Sequence, residues 1–330
     1  MAKKRTSRKM KKIEPAVETM FFTLVPNGDQ YIDLSQCASL MNRRFYRQGI
    51  NWAVAGIKVL TGTSGTITVS KLPNTWIMSN SWEKGFRNWQ RMNNEALSES
   101  VSVRPRFLDF KIFADATHHA AGYSGNLLPV SSDLSPAIAG EWEPSKYVIP
   151  LGNADPGDTE EFEVIATGAS FPGNAPGSGF NAVSLIEGYA ASRGLPNVLD
   201  PNVPDDASDS QGVDPENWLQ ALFNEGTDQS EIVLSDMITE NNIAPYPFEN
   251  DGVNVDTMYP GGANQLTGLQ LHDVDSVSAT TVGGITRIKG GMFPCGLIKI
   301  NYSGDGAYGL QIDLVPGNHR GYLCEPMTEM

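Results

Sequence analysis

The sequence predicts an all-β fold with a few connecting helices: an antiparallel β-sandwich closed by strands from both ends of the chain, of which a jelly roll is one form. Two observations carry this. Runs of β-forming residues, several with apolar and polar positions in strict alternation, occupy both ends of the chain. They are spaced irregularly, separated by long loops and glycine-rich turns, with helical patterns only in the connections and no repeat at a fixed period.

In chain order, Glu18–Val25 is the first strand candidate. The turn residues Pro26-Asn27-Gly28-Asp29 follow, and then a short run at Tyr31–Leu34. Ser35 is a candidate cap for a short helix reaching about Met41, because its hydroxyl can accept from a free helix N–H. Arg43–Leu60 reads as one long strand in which Ile50, Trp52 and Val54 alternate with Asn51, Ala53 and Ala55, and Gly49 and Gly56 mark bulges or close backbone contacts. Gly65–Leu72 reads as its hairpin partner, ended by Pro73.

A helix follows, with Trp82, Phe86, Trp89, Met92 or Asn93, and Ala96 at the spacing of a buried face. Lys84, Arg87 and Arg91 form another stripe, and Gly85 costs such a helix about 1 kcal/mol relative to Ala. Arg104–Ala114 reads as a strand with Leu108, Phe110 and Ile112 on one face. The loop-rich middle offers strands at Lys146–Leu151 and Glu161–Thr167 and helices at Ala182–Ser192 and Pro215–Asn224, the latter capped by Asp214. Leu266–Val277, Gly284–Lys289, Gly296–Tyr302 and Leu310–Val315 complete the strands, with Leu310, Ile312 and Leu314 alternating with Gln311 and Asp313.

Charge is polarised along the chain. Residues 1–111 hold 18 Lys and Arg against 8 Asp and Glu, residues 112–286 hold 2 against 26, and residues 287–330 balance, within a net charge of −14. Seven of the basic residues, Lys3, Lys4, Arg5, Arg8, Lys9, Lys11 and Lys12, fall in the first 12 positions without one acidic neighbour. Such a segment cannot bury enough apolar surface to offset its ordering entropy, so residues 1–13 are expected to be a disordered arm. The arm suits sequence-independent phosphate binding through counterion release, and a nuclear localisation signal would use the same residues. Arg43, Arg44 and Arg47 are candidates to extend that surface; a solvated strand edge is the alternative. The acidic middle would repel a polyanion and is expected to face away from it.

Other functions find little support. No apolar run reaches the roughly 18–20 residues of a membrane helix, and no apolar stretch follows the basic N-terminus as a secretory signal requires. Cys37, Cys295 and Cys324 form no CxxC pair or disulfide framework, which points to a reducing compartment. Asp205, Asp206, Asp209 and Asp214 lack EF-hand spacing, and His118-His119 has no third ligand nearby in sequence, so no metal is expected. No nucleophile elbow, P-loop, dinucleotide fingerprint or HExxH is present, so neither catalysis nor a cofactor is expected. Trp82, Phe86 and Trp89 could stack on bases, but helical spacing favours core packing.

The stretch Gly65–Met92 resembles capsid proteins of small circular Rep-encoding single-stranded DNA viruses. The likeness rests on Ser70-Lys-Leu-Pro73 ending a strand, Thr75-Trp76, and the Trp82-Glu-Lys-Gly-Phe86 helix. The basic N-terminus, the long strand after it and the chain length also fit, and the resemblance in all covers about a third of the chain. The resemblance implies a viral jelly-roll domain over residues 14–330, with acidic loop-rich insertions around residues 115–260. It further implies self-assembly into an icosahedral shell, an inward arm bound to a single-stranded DNA genome, a place in the virion and host nucleus, an unidentified host receptor and no membrane insertion. The alternatives are a capsid around single-stranded RNA, a cellular single-strand-binding β-sandwich, and a carbohydrate-active β-sandwich enzyme.

Overall fold

The structure is a computed structural model that describes residues 15–98, 100–103, 108–131, 133, 135–150, 159–169, 171–175, 177–192, 218–224, 268–278, 280, 284–306 and 308–330. Its first half-turn of architecture is β1 (Thr19–Leu24), β2 (Gly28–Asp33), α1 (Leu34–Asn42), β3 (Ile50–Leu60) and β4 (Gly65–Lys71). The middle holds α2 (Trp76–Ala96), α3 (Ala116–Ala121), β5 (Tyr147–Pro150), β6 (Thr159–Ile165), β7 (Gly173–Asn174), β8 (Asn181–Ser184), α4 (Leu185–Ser192) and α5 (Leu219–Asn224). The chain then returns through β9 (Gln270–Val277), β10 (Ile285–Phe293), β11 (Leu297–Gly304) and β12 (Tyr308–Leu314), and ends with the short strands β13 (Pro316–Gly317), β14 (Gly321–Tyr322) and β15 (Cys324–Pro326).

The fold is mostly antiparallel β, as the sequence predicts; among the named strands, β6 and β8 form the parallel pair. One main sheet runs β1-β12-β3-β10, with β15 also on β3, and the other runs β2-β11-β4-β9. The pairing is nested: β1 lies on β12, β2 on β11, β3 on β10 and β4 on β9. Eight strands therefore behave as one long hairpin, rolled until β12 also meets β3 and β11 also meets β4. Consecutive strands consequently alternate between the two sheets, except β4 and β9, which pair with each other.

Alternation puts one face of each sheet into a shared core. Phe22, Trp52, Val54, Ile57 and Leu310 from the first sheet meet Ile32, Ile67, Val69, Ile298 and Ile300 from the second. Strand β12 alternates strictly, with Tyr308, Leu310, Ile312 and Leu314 buried. Removing one such aliphatic side chain typically costs 2–5 kcal/mol.

Registers fix which end of the sandwich carries the long connections. Leu24 faces Tyr308, Leu60 faces both Gly309 and Ile285, and Gly65 faces both Gly304 and Val277. The turns at Val25–Asn27, Thr61–Ser64 and Asp305–Gly306 thus share one end. At the other end lie the residues preceding β1, α1, both ends of the excursion between β4 and β9, and the C-terminal tail.

That excursion has a core of its own. Helix α2 packs Ile77, Met78 and Trp82 against Phe110, Tyr147, Phe162, Val183 and Leu185, and the C-terminal Met327 plugs the same cluster. Gly85 is where α4 comes closest: a Cβ there would stand 2.6 Å from Leu185 Cδ2, and the Gly85 carbonyl accepts from the Tyr147 hydroxyl at 2.6 Å.

Several sequence expectations need correction. Arg43–Gly49 is not strand; β3 starts at Ile50 because Tyr46 and Gln48 turn into the interior and Arg43 takes a left-handed conformation, φ 50°. Strand β4 is not a hairpin partner of β3, since β12 and β10 already occupy both edges of β3. Residues 108–112 are not a strand; Asp109, Phe110, Ile112 and Phe113 are all buried, so burial does not alternate as the expected two-faced strand requires, and residues 104–107 lie outside those described. Ala182–Ser192 splits into β8 and α4. The cap of α1 is Asp33 rather than Ser35, accepting from the Ser35 and Gln36 amides, and α2 starts at Trp76 under a Thr75 cap. Gly49 precedes the strand and marks a close contact, whereas the β3–β12 register shifts beside Gly56. Asp214 and Pro215 lie outside the described residues.

Candidate nucleic-acid interface

The seven arm cations, Lys3, Lys4, Arg5, Arg8, Lys9, Lys11 and Lys12, lie outside the described residues, as do Asp205, Asp206, Asp209 and Asp214. What the structure defines is the root from which the arm departs. The Val17 amide donates to Asn42 Oδ1 at 2.9 Å, and the Tyr322 hydroxyl donates to the Val17 carbonyl at 2.6 Å. Arg44 Nη1 donates to the Pro15 carbonyl at 3.2 Å. The last residue of α1, the C-terminal tail and the arginine-bearing segment therefore all grip the root.

The segment Arg43–Gly49 is pinned from inside. The Tyr46 amide donates to Ser39 Oγ at 2.9 Å and its hydroxyl to the Arg320 carbonyl at 2.9 Å. Gln48 is fully buried: its amide donates to Asp109 Oδ2 at 3.2 Å, and its Nε2 to Asp33 Oδ2 and the Ile112 carbonyl, each at 3.1 Å. These anchors leave Arg43 and Arg47 exposed. Among the described residues, Arg47 uses only Nε for a hydrogen bond, donating to the Leu108 carbonyl at 3.1 Å.

Two further cations join from distant parts of the chain. Arg320, in the turn between β13 and β14, donates from Nη1 to the Phe45 carbonyl at 2.6 Å. Lys111 stands 4.8 Å over the Trp142 ring and 6.0 Å from the Phe45 ring. Burial, with Arg320 and Arg47 adding to it, holds His319 below its ordinary value, which places both arginines near that ring. Burial raises the Asp109 carboxyl while Lys111 and Arg47 oppose the shift. Among the described residues, no ion pair joins Arg43, Arg47, Lys111 or Arg320 to a carboxylate. The sequence hides this gathering, because Arg320 stands alone in its neighbourhood and nothing local marks its proximity to Arg47.

Compared with known proteins, the chain matches no family model, no curated protein and no solved structure.

The other candidates are engaged elsewhere in the protein. On α2, Lys84 donates to the Phe223 carbonyl at 3.3 Å, Arg87 pairs with Glu83, and Arg91 lies 3.6 Å from Glu95. Trp82 stacks on Phe86 at 5.2 Å, and Trp89 Nε1 donates to the Lys146 carbonyl at 3.0 Å, so this aromatic face belongs to the second core. His118 and His119 are buried. His118 Nδ1 accepts from the Ala114 amide at 3.0 Å, so Nε2 carries the hydrogen toward Asn126 Oδ1 at 2.8 Å; burial lowers its pKa to about 4. His119 Nε2 faces Glu163 Oε2 at 2.7 Å. No group of metal-ligating side chains occurs among the described residues.

Proposed function

We propose that this protein is a jelly-roll capsid subunit that self-assembles into an icosahedral shell and packages a single-stranded DNA genome through its basic N-terminal arm. The observation that carries the reading is the nested pairing of eight strands into sheets β1-β12-β3-β10 and β2-β11-β4-β9. A jelly roll is an eight-stranded, two-sheet arrangement, and a long hairpin rolled so that its strands are shared between two sheets supports that reading. The concentration of cations around the arm root supports the packaging role, since phosphate contacts need charge but no base readout. The likeness of Gly65–Met92 to capsid proteins of small circular DNA viruses supports the same reading, and the acidic middle then faces outward, away from the genome.

The reading requires particles. Expression of the full chain and electron microscopy across a range of salt and pH should reveal closed shells of uniform size. Only monomers or amorphous aggregate under all conditions would overturn it.

A further inference from the structure

We propose that Arg43, Arg47 and Arg320, with Lys111 at their margin, form a fixed phosphate-binding site of the folded body that takes backbone phosphates of single-stranded nucleic acid as it leaves the arm. The site rests on the reading of the arm as a nucleic-acid tether, and it adds a fixed station on the folded body. Its members come from three segments far apart in sequence: the loop after α1, the strip leading into the middle of the chain, and the C-terminal tail.

Geometry supports a ligand here. Arg47 and Arg320 each spend one nitrogen on a backbone carbonyl, Leu108 for the first and Phe45 for the second. Those bonds orient the guanidinium groups and leave further donors on each, and a planar guanidinium fork matches phosphate geometry. Both side chains are exposed, and among the described residues neither is paired with a carboxylate. Glu141 and Glu143, beside Trp142, are exposed and form no ion pair with them; Asp109 is buried beneath Arg47 and Lys111, where it offsets part of the charge.

The backbone adds a second line of argument. Among the described residues, four non-glycine residues have positive φ: Asn27, Arg43, Cys295 and Arg320. Asn27 is the ordinary solution, because a short polar side chain tolerates that region. Arginine has no such advantage, so Arg43 at 50° and Arg320 at 52° carry backbone strain that Asn or Gly would relieve. Strain of this kind persists at positions where the side chain has a task elsewhere; Arg320 reaches the Phe45 carbonyl, and Arg43 stands two residues before Phe45 in the same loop.

The test is salt-dependent binding of a fluorescent single-stranded DNA oligonucleotide by the full-length protein, with melting curves for every variant. Each phosphate contact contributes about 0.7 to the slope of log affinity against log salt for a single strand. The pair Arg47→Gln and Arg320→Asn should lower that slope by about 1.4, and Arg47→Lys should retain most of it. Replacing the seven arm cations with Gln should leave residual binding that the added pair removes. If Arg47→Gln fails to fold, Arg320→Asn alone should lower the slope by about 0.7. Wild-type affinity and slope in the folded pair variant would overturn the site. An RNA oligonucleotide of the same length should respond alike; a response confined to one sugar would overturn the phosphate assignment. Imaging for particles keeps the two proposals apart: shells with an unchanged slope in the pair variant defeat the site alone, and a lowered slope without shells defeats the capsid reading alone.

Discussion

Arg320 Nη1 donates to the carbonyl of Phe45 at 2.6 Å, and Tyr46, the next residue, returns a bond from its hydroxyl to the Arg320 carbonyl at 2.9 Å. This reciprocal clasp joins the C-terminal tail to the loop beside the arm root, and it brings the arginine of one to the arginines of the other.

Arg43→Gly should separate stability from function. The left-handed conformation at this helix end suits glycine, so the variant should gain about 1 kcal/mol, seen as a melting temperature a few degrees higher. The same variant should bind single-stranded DNA more weakly at low salt. A stabilised variant with unchanged binding would remove Arg43 from the site.

The stripe on α2 should behave differently. Glu83 and Arg87 are spaced i to i+4 in the favourable order, but both ion pairs are exposed enough that each contributes little. Replacing Arg87 and Arg91 together with Gln should change stability by less than about 1 kcal/mol and leave the salt slope of binding unchanged. A lowered slope would place α2 in the interface.

Gly49→Ala should damage the junction between the sandwich and the excursion. A Cβ at Gly49 would run into the Trp82 ring, which is buried. Overpacking of this kind costs about 1–3 kcal/mol. Chemical denaturation should show the loss in midpoint, and near-ultraviolet circular dichroism should report a displaced tryptophan.

Asp33 and His118 should impose opposite pH dependences. They are linked through Gln36 and Asn126, the latter donating to Gln36 Oε1 at 3.0 Å and facing His118 Nε2 at 2.8 Å. Burial raises the Asp33 carboxyl to about 6, against hydrogen bonds from the Gln36 amide, Gln48, the Ser35 amide and Trp142 that favour the ionised form. A folded value above the unfolded one means that Asp33 lends stability at low pH, lost as pH rises from about 4 to about 6. His118, lowered to about 4, does the reverse: its contribution is lost as pH falls from about 6.5 to about 4. Each shift corresponds to about 3 kcal/mol, so the two nearly cancel across the shared window. Denaturation of Asp33→Asn between pH 4 and 6.5 should therefore show stability rising with pH, and His118→Gln should show it falling. Parallel slopes in the two variants would contradict this linkage.

Much of the β architecture was legible in the sequence, and the reason is specific. Leu310, Ile312 and Leu314 alternate because one face of β12 is core, and the pattern states that directly. Alternation does not say which sheet a strand joins, so β4 read as the hairpin partner of β3 although it crosses to the opposite sheet. Arg43–Gly49 read as strand because the burial of polar Gln48, satisfied by Asp33, Asp109 and Ile112, leaves no hydrophobic mark. The candidate site was half legible: Arg43 and Arg47 lie close in sequence, whereas Arg320 arrives only through the packing of the tail.

Nuclease protection tests the central claim most directly. Particles purified from cells expressing the full chain, treated with nuclease and then opened, should yield protected single-stranded nucleic acid of defined length with a deoxyribose backbone, and replacing the seven arm cations with Gln should deplete it more than it reduces the number of shells. Particles that form normally yet protect no nucleic acid in the wild-type protein would contradict the packaging role assigned to the arm.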